Sequence, residues 1–101
     1  KTLNDALVNR YYDLMLAPGV RGAILARMQQ TVLQDPVPSL ANIKVPTLLI
    51  WGEKDAFIPI SNSNDYLKVM PNAKRVSLPN IGHLPQEEQP SIGLAALKEF
   101  L

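Results

Sequence analysis

Val45-Pro46-Thr47-Leu48-Leu49-Ile50-Trp51-Gly52-Glu53-Lys54-Asp55 is the stretch on which the reading of this chain turns. Residues 45–51 form a short, nearly continuous apolar run rich in strand formers, bounded by Pro46 on one side and Gly52 on the other. Such a run has the pattern of a parallel strand covered on both faces. Pro46 suits the strand's first position, because proline has no N–H to give to the ladder. Downstream, Tyr66, Leu67 and Met70 fall on one face of a helix expected over residues 60–70, which Pro71 ends. A second strand is expected over residues 74–78. It is followed by the turn Pro79-Asn80-Ile81-Gly82 and a final helix over residues 90–101 with Ile92, Leu94, Ala95, Leu97 and Leu101 as its apolar positions. Strand, helix, strand, helix is an α/β order, which places parallel strands side by side with helical crossovers.

Upstream the pattern is helical. Thr2 and Asp5 have the spacing of a capping box, and Leu3, Leu7, Tyr11, Leu14 and Met15 recur at three- and four-residue steps over residues 3–16. Pro18 and Gly19 break the run. Val20, Ile24, Leu25, Met28 and Val32 then resume the helical spacing until Asp35-Pro36-Val37-Pro38 makes continued helix costly. The division expected is a helical segment over residues 1–38 and an α/β portion over residues 39–101. Two parallel strands by themselves leave two unpaired edges, and the run at residues 45–51 calls for cover on both faces. The sequence therefore reads as part of a larger sheet, completed by preceding chain or by a partner molecule.

Composition narrows the classes. The 101 residues are 47% hydrophobic, within the globular range, and ten basic residues balance nearly evenly against nine acidic ones. With no basic cluster interleaved with aromatics, the charge pattern argues against nucleic acid as a partner. No apolar run approaches the roughly 20 residues that span a bilayer, and the chain start lacks a signal-peptide layout. A soluble, cytoplasmic protein without membrane contact is the expectation. Cysteine is absent and histidine occurs once, which leaves neither a disulfide framework nor a His or Cys cluster for a metal, and no cofactor is implied.

In open α/β sheets, functional groups gather beyond the carboxyl ends of the strands. Two loops qualify here. Gly52 lets the chain turn sharply and delivers Asp55 just past the first strand; Pro79-Asn80-Ile81-Gly82 does the same for His83 after the second. Strands about 4.8 Å apart would let the carboxylate and the imidazole meet across adjoining loops. An imidazole can take a proton from a nucleophile or from water, while a carboxylate beside it fixes its tautomer and stabilises the imidazolium. Taken singly, an Asp after a strand is a common turn former and a lone His is commonly a surface or core residue.

The combined pattern, residues 43–55 together with Gly82-His83, resembles the last two strand units of the α/β-hydrolase fold family. The resemblance implies Asp55 as the acid and His83 as the general base of a nucleophile-His-acid triad. Glu88-Gln89-Pro90 stands where that family often begins its final helix with an acidic residue and a proline. The first third, from Tyr11-Tyr12-Asp13-Leu14-Met15-Leu16 onward, is similar to the end of the helical cap in the esterase, C–C hydrolase, epoxide hydrolase and haloalkane dehalogenase branch. The resemblance thus implies hydrolysis of an ester, C–C or related bond in a small, largely apolar substrate.

The chain departs from the family in having no Gly-x-Ser-x-Gly elbow and no oxyanion loop. Ser39, Ser61, Ser63, Ser77 and Ser91 lack that setting and read as turn, cap or surface residues. The chain alone is expected to be inactive, with the nucleophile, Ser or Asp, lying outside it. Leu14, Met15, Ile24 and Met28 read either as pocket lining or as ordinary packing. A competing reading is a non-catalytic α/β binding or scaffolding module that forms a homodimer through its exposed strand edges. A helical partner-binding module over residues 2–33 has only generic amphipathicity behind it.

Overall fold

The computed structural model describes residues 3–101. It divides into two compact units, one reaching to Gln34 and the other spanning Asp35–Leu101.

In the first unit, helix α1 spans Asp5–Leu16 and α2 spans Val20–Gln29. The capping box expected from Thr2 lies outside the described residues. The cap observed at α1 is Asn4, whose Oδ1 accepts from the Leu7 N–H at 2.9 Å, satisfying a donor with no partner inside the helix. Gly19 opens α2 with φ +83°, a left-handed conformation that glycine adopts without penalty. The spacing predicts helix as far as Val32, but α2 ends at Gln29. The Thr31 N–H closes a tight turn onto the Met28 carbonyl at 3.2 Å, and the Thr31 hydroxyl donates to the Arg27 carbonyl at 3.2 Å. A hydroxyl taking that carbonyl competes with the next backbone donor. No residue of either helix is buried, and Leu14, Met15, Ile24 and Met28 are all exposed.

The second unit begins with a short helix, α3, at Val37–Ala41, where the sequence reading expected only a helix break. Pro36 and Pro38 both sit in its first turn, where their missing N–H groups cost no bond. Asp35 Oδ1 accepts from the Val37 N–H at 3.0 Å. The division between units falls upstream of the 38/39 boundary read from the sequence because α3 packs with the helix Ser63–Val69.

Strands β1 (Thr47–Gly52) and β2 (Ala73–Leu78) form a parallel two-stranded sheet in register Thr47 to Ala73 through Gly52 to Leu78. Val45 and Pro46 stay outside the strand, and the Thr47 N–H bonding the Asn72 carbonyl at 3.0 Å leads into the ladder. The run expected to be buried on both faces is half-buried from Thr47 to Trp51, and among the described residues β1 pairs along one edge.

Between the strands, a 3₁₀ turn at Ile60–Asn62 feeds α4 at Ser63–Val69. Met70 leaves the helix with extended backbone, as a residue before proline does. Ser63, fully buried, donates to the Ile60 carbonyl at 2.6 Å and accepts from Arg75 of β2 at 2.7 Å; the same guanidinium nitrogen reaches Asn64 Oδ1 at 2.7 Å. After β2 comes a helical turn, α5 (Pro85–Glu88), absent from the sequence reading, and then α6 (Pro90–Phe100), which packs on both strands. Met70, Leu78, Ile81 and Ala96 are the buried apolar residues, and Leu78 and Ile81 lie at the carboxyl end of β2 where the functional loops leave the sheet.

Ile81 is 2% exposed, so Ile81→Ala should destabilise the chain by about 2–5 kcal/mol through lost burial and the cavity left behind. Leu101→Ala, at a position 93% exposed, should change stability by no more than about 0.5 kcal/mol. Urea denaturation followed by circular dichroism reads both.

Candidate active site

Parallel strands send their carboxyl ends to the same side, so the loops after β1 and β2 emerge together. They are laced by backbone bonds: the Glu53 N–H donates to the Leu78 carbonyl at 3.0 Å and the Lys54 N–H to the Ile81 carbonyl at 2.9 Å. This requires a close crossing at Gly52. A Cβ there would overlap the carbonyl oxygens of Gly82 and Ile81 and lie 2.7 Å from the Ile81 carbonyl carbon. Glycine is therefore needed for clearance. On the other loop, Asn80 takes a left-handed φ of 61°, which Asn tolerates better than most side chains.

The loop after β1 folds around its own aspartate. Asp55 Oδ1 accepts from the N–H groups of Phe57 and Ile58, each at 2.9 Å. The Trp51 indole N–H donates to the Ile58 carbonyl at 2.9 Å, tying the next peptide of the loop back to the strand. Asp55 Oδ2 is thereby left facing the neighbouring loop, where His83 Nδ1 lies 2.8 Å away. The structure thus brings together the two residues singled out from the sequence.

Their environments differ. The Asp55 side chain is 6% exposed and that of His83 is 42% exposed. Burial works to raise the Asp55 pKa, but the N–H bond from Ile58, the bond and charge of His83, and the N–H bond from Phe57 together outweigh it. They hold the carboxyl below its ordinary value of 3.8. An ionised Asp55 favours the His83 tautomer with its proton on Nδ1 and leaves Nε2 as the ring nitrogen able to take a proton. The Phe57 ring, itself largely exposed, stands with its centroid 5.3 Å from that of the imidazole at a 53° tilt.

His83 also borders an open cleft of about 450 Å³ with Ile50, Pro85, Gly93, Leu94 and Leu97 among its walls. Among the described residues, no group of three His, Cys, Asp or Glu side chains converges to hold a metal ion. Among those residues the side-chain partner of His83 is Asp55 and none of the five serines.

One contact escaped the sequence reading. Glu88, noted there only as the acidic residue ahead of the last helix, accepts from the Gly82 N–H through Oε2 at 2.8 Å and from the Leu84 N–H through Oε1 at 3.1 Å. The signal available was a glutamate four residues after Leu84 beside Pro85, a variant of capping-box spacing without a Ser or Thr partner.

Residues 6–90 match the pattern of the alpha/beta hydrolase fold family, and the chain belongs to that family. It is 33% identical to Lipase 1 of Psychrobacter immobilis over 62% of the chain and 21% of that protein. It is 26% identical to the 2-hydroxy-6-oxo-6-(2'-aminophenyl)hexa-2,4-dienoic acid hydrolase of Metapseudomonas resinovorans over 98% of the chain and 36% of that enzyme. Among solved structures, a serine hydrolase involved in carbazole degradation superposes with a TM-score of 0.85 at 25% identity, covering 97% of this chain and 40% of that one. A meta-cleavage product hydrolase at 21% identity shares the fold with a TM-score of 0.77. The chain therefore spans only a minor part of these relatives' length. No helix among the described residues is long and apolar enough to cross a membrane.

The Gly52 crossing makes a specific demand. Gly52→Ala should cost about 1–3 kcal/mol by overpacking, and it should perturb the His83 ring resonances by displacing the Ile81-Gly82 backbone. Chemical denaturation and proton NMR check the two effects separately.

The depressed Asp55 pKa also fixes a sign. A carboxyl that ionises more readily when folded adds stability above its ordinary pKa, and that contribution is lost as pH falls through the lower folded value. Asp55→Asn should therefore be less stable than the parent at neutral pH, with the difference shrinking as pH drops below about 3.8. Urea midpoints measured across that range read the trend.

Proposed function

We propose that Asp55 and His83 are the acid and the base of a nucleophile-His-acid triad in a hydrolase acting on a small, largely apolar substrate. The observation that carries the reading is the 2.8 Å contact between His83 Nδ1 and a carboxylate whose other oxygen is already held by two backbone N–H groups. That is the geometry of a fixed acid orienting an accessible base.

In this mechanism His83 Nε2 accepts the proton of the nucleophile, or of attacking water, as the new bond to the substrate carbon forms. The imidazolium produced is stabilised by Asp55 and returns its proton to the leaving group. The nucleophile itself is outside the 101 residues, which contain no Gly-x-Ser-x-Gly elbow. The similarity to a serine hydrolase favours serine over aspartate in that role. Relatives named as a lipase and as a dienoic acid hydrolase support an ester, C–C or related bond as the target. The helical segment that carries α1 and α2 is proposed as the end of a helical cap, and its Leu14, Met15, Ile24 and Met28 are exposed.

The purified 101-residue chain should hydrolyse p-nitrophenyl esters no faster than buffer, since nucleophile and oxyanion donors supply most of the rate. In a polypeptide that carries a nucleophile together with this chain, Asp55→Asn should lower kcat by roughly 10⁴-fold. Hydrolysis by the chain alone that His83→Ala abolishes would refute the division of labour, and wild-type kcat in Asp55→Asn would refute the triad.

A further inference from the structure

We infer that Glu88 is a positioning residue for His83, a carboxylate clamp on the backbone either side of it that sets the imidazole against Asp55. The inference deepens the proposed triad and rests on it.

The His83 ring is 42% exposed; besides the 2.8 Å contact with Asp55 it leans on Phe57, which is itself 83% exposed, so keeping Nδ1 on Asp55 also depends on the backbone that carries the ring. On the amino-terminal side that backbone is anchored by buried Ile81, whose carbonyl accepts from Lys54. Glu88 anchors it on both sides. Its two oxygens accept from the N–H groups of Gly82 and Leu84, which belong to the peptide preceding Gly82 and the peptide following His83. Rotation about either backbone bond of His83 would break one of these bonds, each of which is strengthened by the charge on the acceptor.

The clamp is built rather than incidental. Leu84 and Glu88 exchange bonds, because the Leu84 carbonyl accepts from the Glu88 N–H at 2.9 Å while the Leu84 N–H donates to the Glu88 side chain. Pro85 starts the intervening turn, where no donor is required, so α5 is a short rigid spacer that returns Glu88 to the loop. Gly82 leaves room for the carboxylate, since a Cβ at that position would lie 2.8 Å from Glu88 Oε1. Two diverging N–H donors need two acceptor oxygens. Glutamine offers one, and its amide nitrogen opposes the other donor.

His83 is the single histidine of the chain, so its ring signals are unambiguous. The test is ¹⁵N-edited NMR of the full chain at a pH where the imidazole is neutral, comparing the parent with Glu88→Gln, Glu88→Ala and Asp55→Asn. The parent should show a protected proton on Nδ1, and Asp55→Asn should lose it. Glu88→Ala should lose that resonance and shift the ring toward the Nε2–H tautomer, with Glu88→Gln intermediate. A purely structural cap would lower thermal stability and leave the ring spectrum alone. A protected Nδ1 proton and a parental tautomer ratio in folded Glu88→Ala would therefore overturn the positioning role while leaving the triad standing. If Glu88→Ala does not fold, the same result in folded Glu88→Gln is decisive. Absence of the Nδ1 resonance from the parent chain would overturn both readings.

Discussion

The passage of the Ile81-Gly82 backbone against Gly52 is the constraint on which the site depends. Parallel pairing of Thr47–Gly52 with Ala73–Leu78 brings the two carboxyl ends together, but neighbouring ends alone do not bring side chains within bonding distance. The loops must cross at van der Waals contact, and a residue with a Cβ at position 52 would hold them apart. Once the crossing is made, the bonds from Glu53 to Leu78 and from Lys54 to Ile81 fasten the loops to each other. Asp55 and His83 then meet as a consequence of backbone geometry.

The polar groups near that crossing form a chain of dependence. Trp51 holds the Ile58 carbonyl, the N–H groups of Phe57 and Ile58 hold one oxygen of Asp55, and the remaining oxygen holds the imidazole. A buried carboxylate without partners would be driven toward its neutral form; three hydrogen bonds reverse that tendency and keep this one ionised. The imidazole is left more accessible than the carboxylate that holds it.

Membership of the α/β-hydrolase fold family accounts for the mixture of well-buried and uncovered surface. The chain covers 21% and 36% of the length of the two curated relatives described, and holds the part of the fold that ends in the Asp55 and His83 loops. Its buried residues concentrate around β2 and the helices flanking it, whereas β1 is half-buried and the apolar positions of α1 and α2 remain exposed. Apolar stripes at helical spacing thus mark faces suited to cover, whether or not the described residues provide it.

The sequence by itself determined the α/β order, both strands to within two residues at either end, and the two residues that meet at their ends. Those features are written in local terms: a run of strand formers between Pro46 and Gly52, a Pro71 stop, and Gly82-His83 after a turn. What the sequence reading missed was decided by contacts between segments. The short helix α3 has prolines at its cap and second position and α5 begins at a proline, which look like breaks until the turns are seen to be held by Asp35 and Glu88. The length of α2 was misjudged because a side-chain hydroxyl, not a breaker residue, takes a carbonyl at its end. The part played by Glu88 lay beyond pattern reading, because it depends on two N–H groups oriented by the tertiary path of the loop and on clearance at Gly82. Periodicity and turn chemistry act along the chain and can be read from it; which oxygen reaches which donor is settled only when the loops are brought together in space.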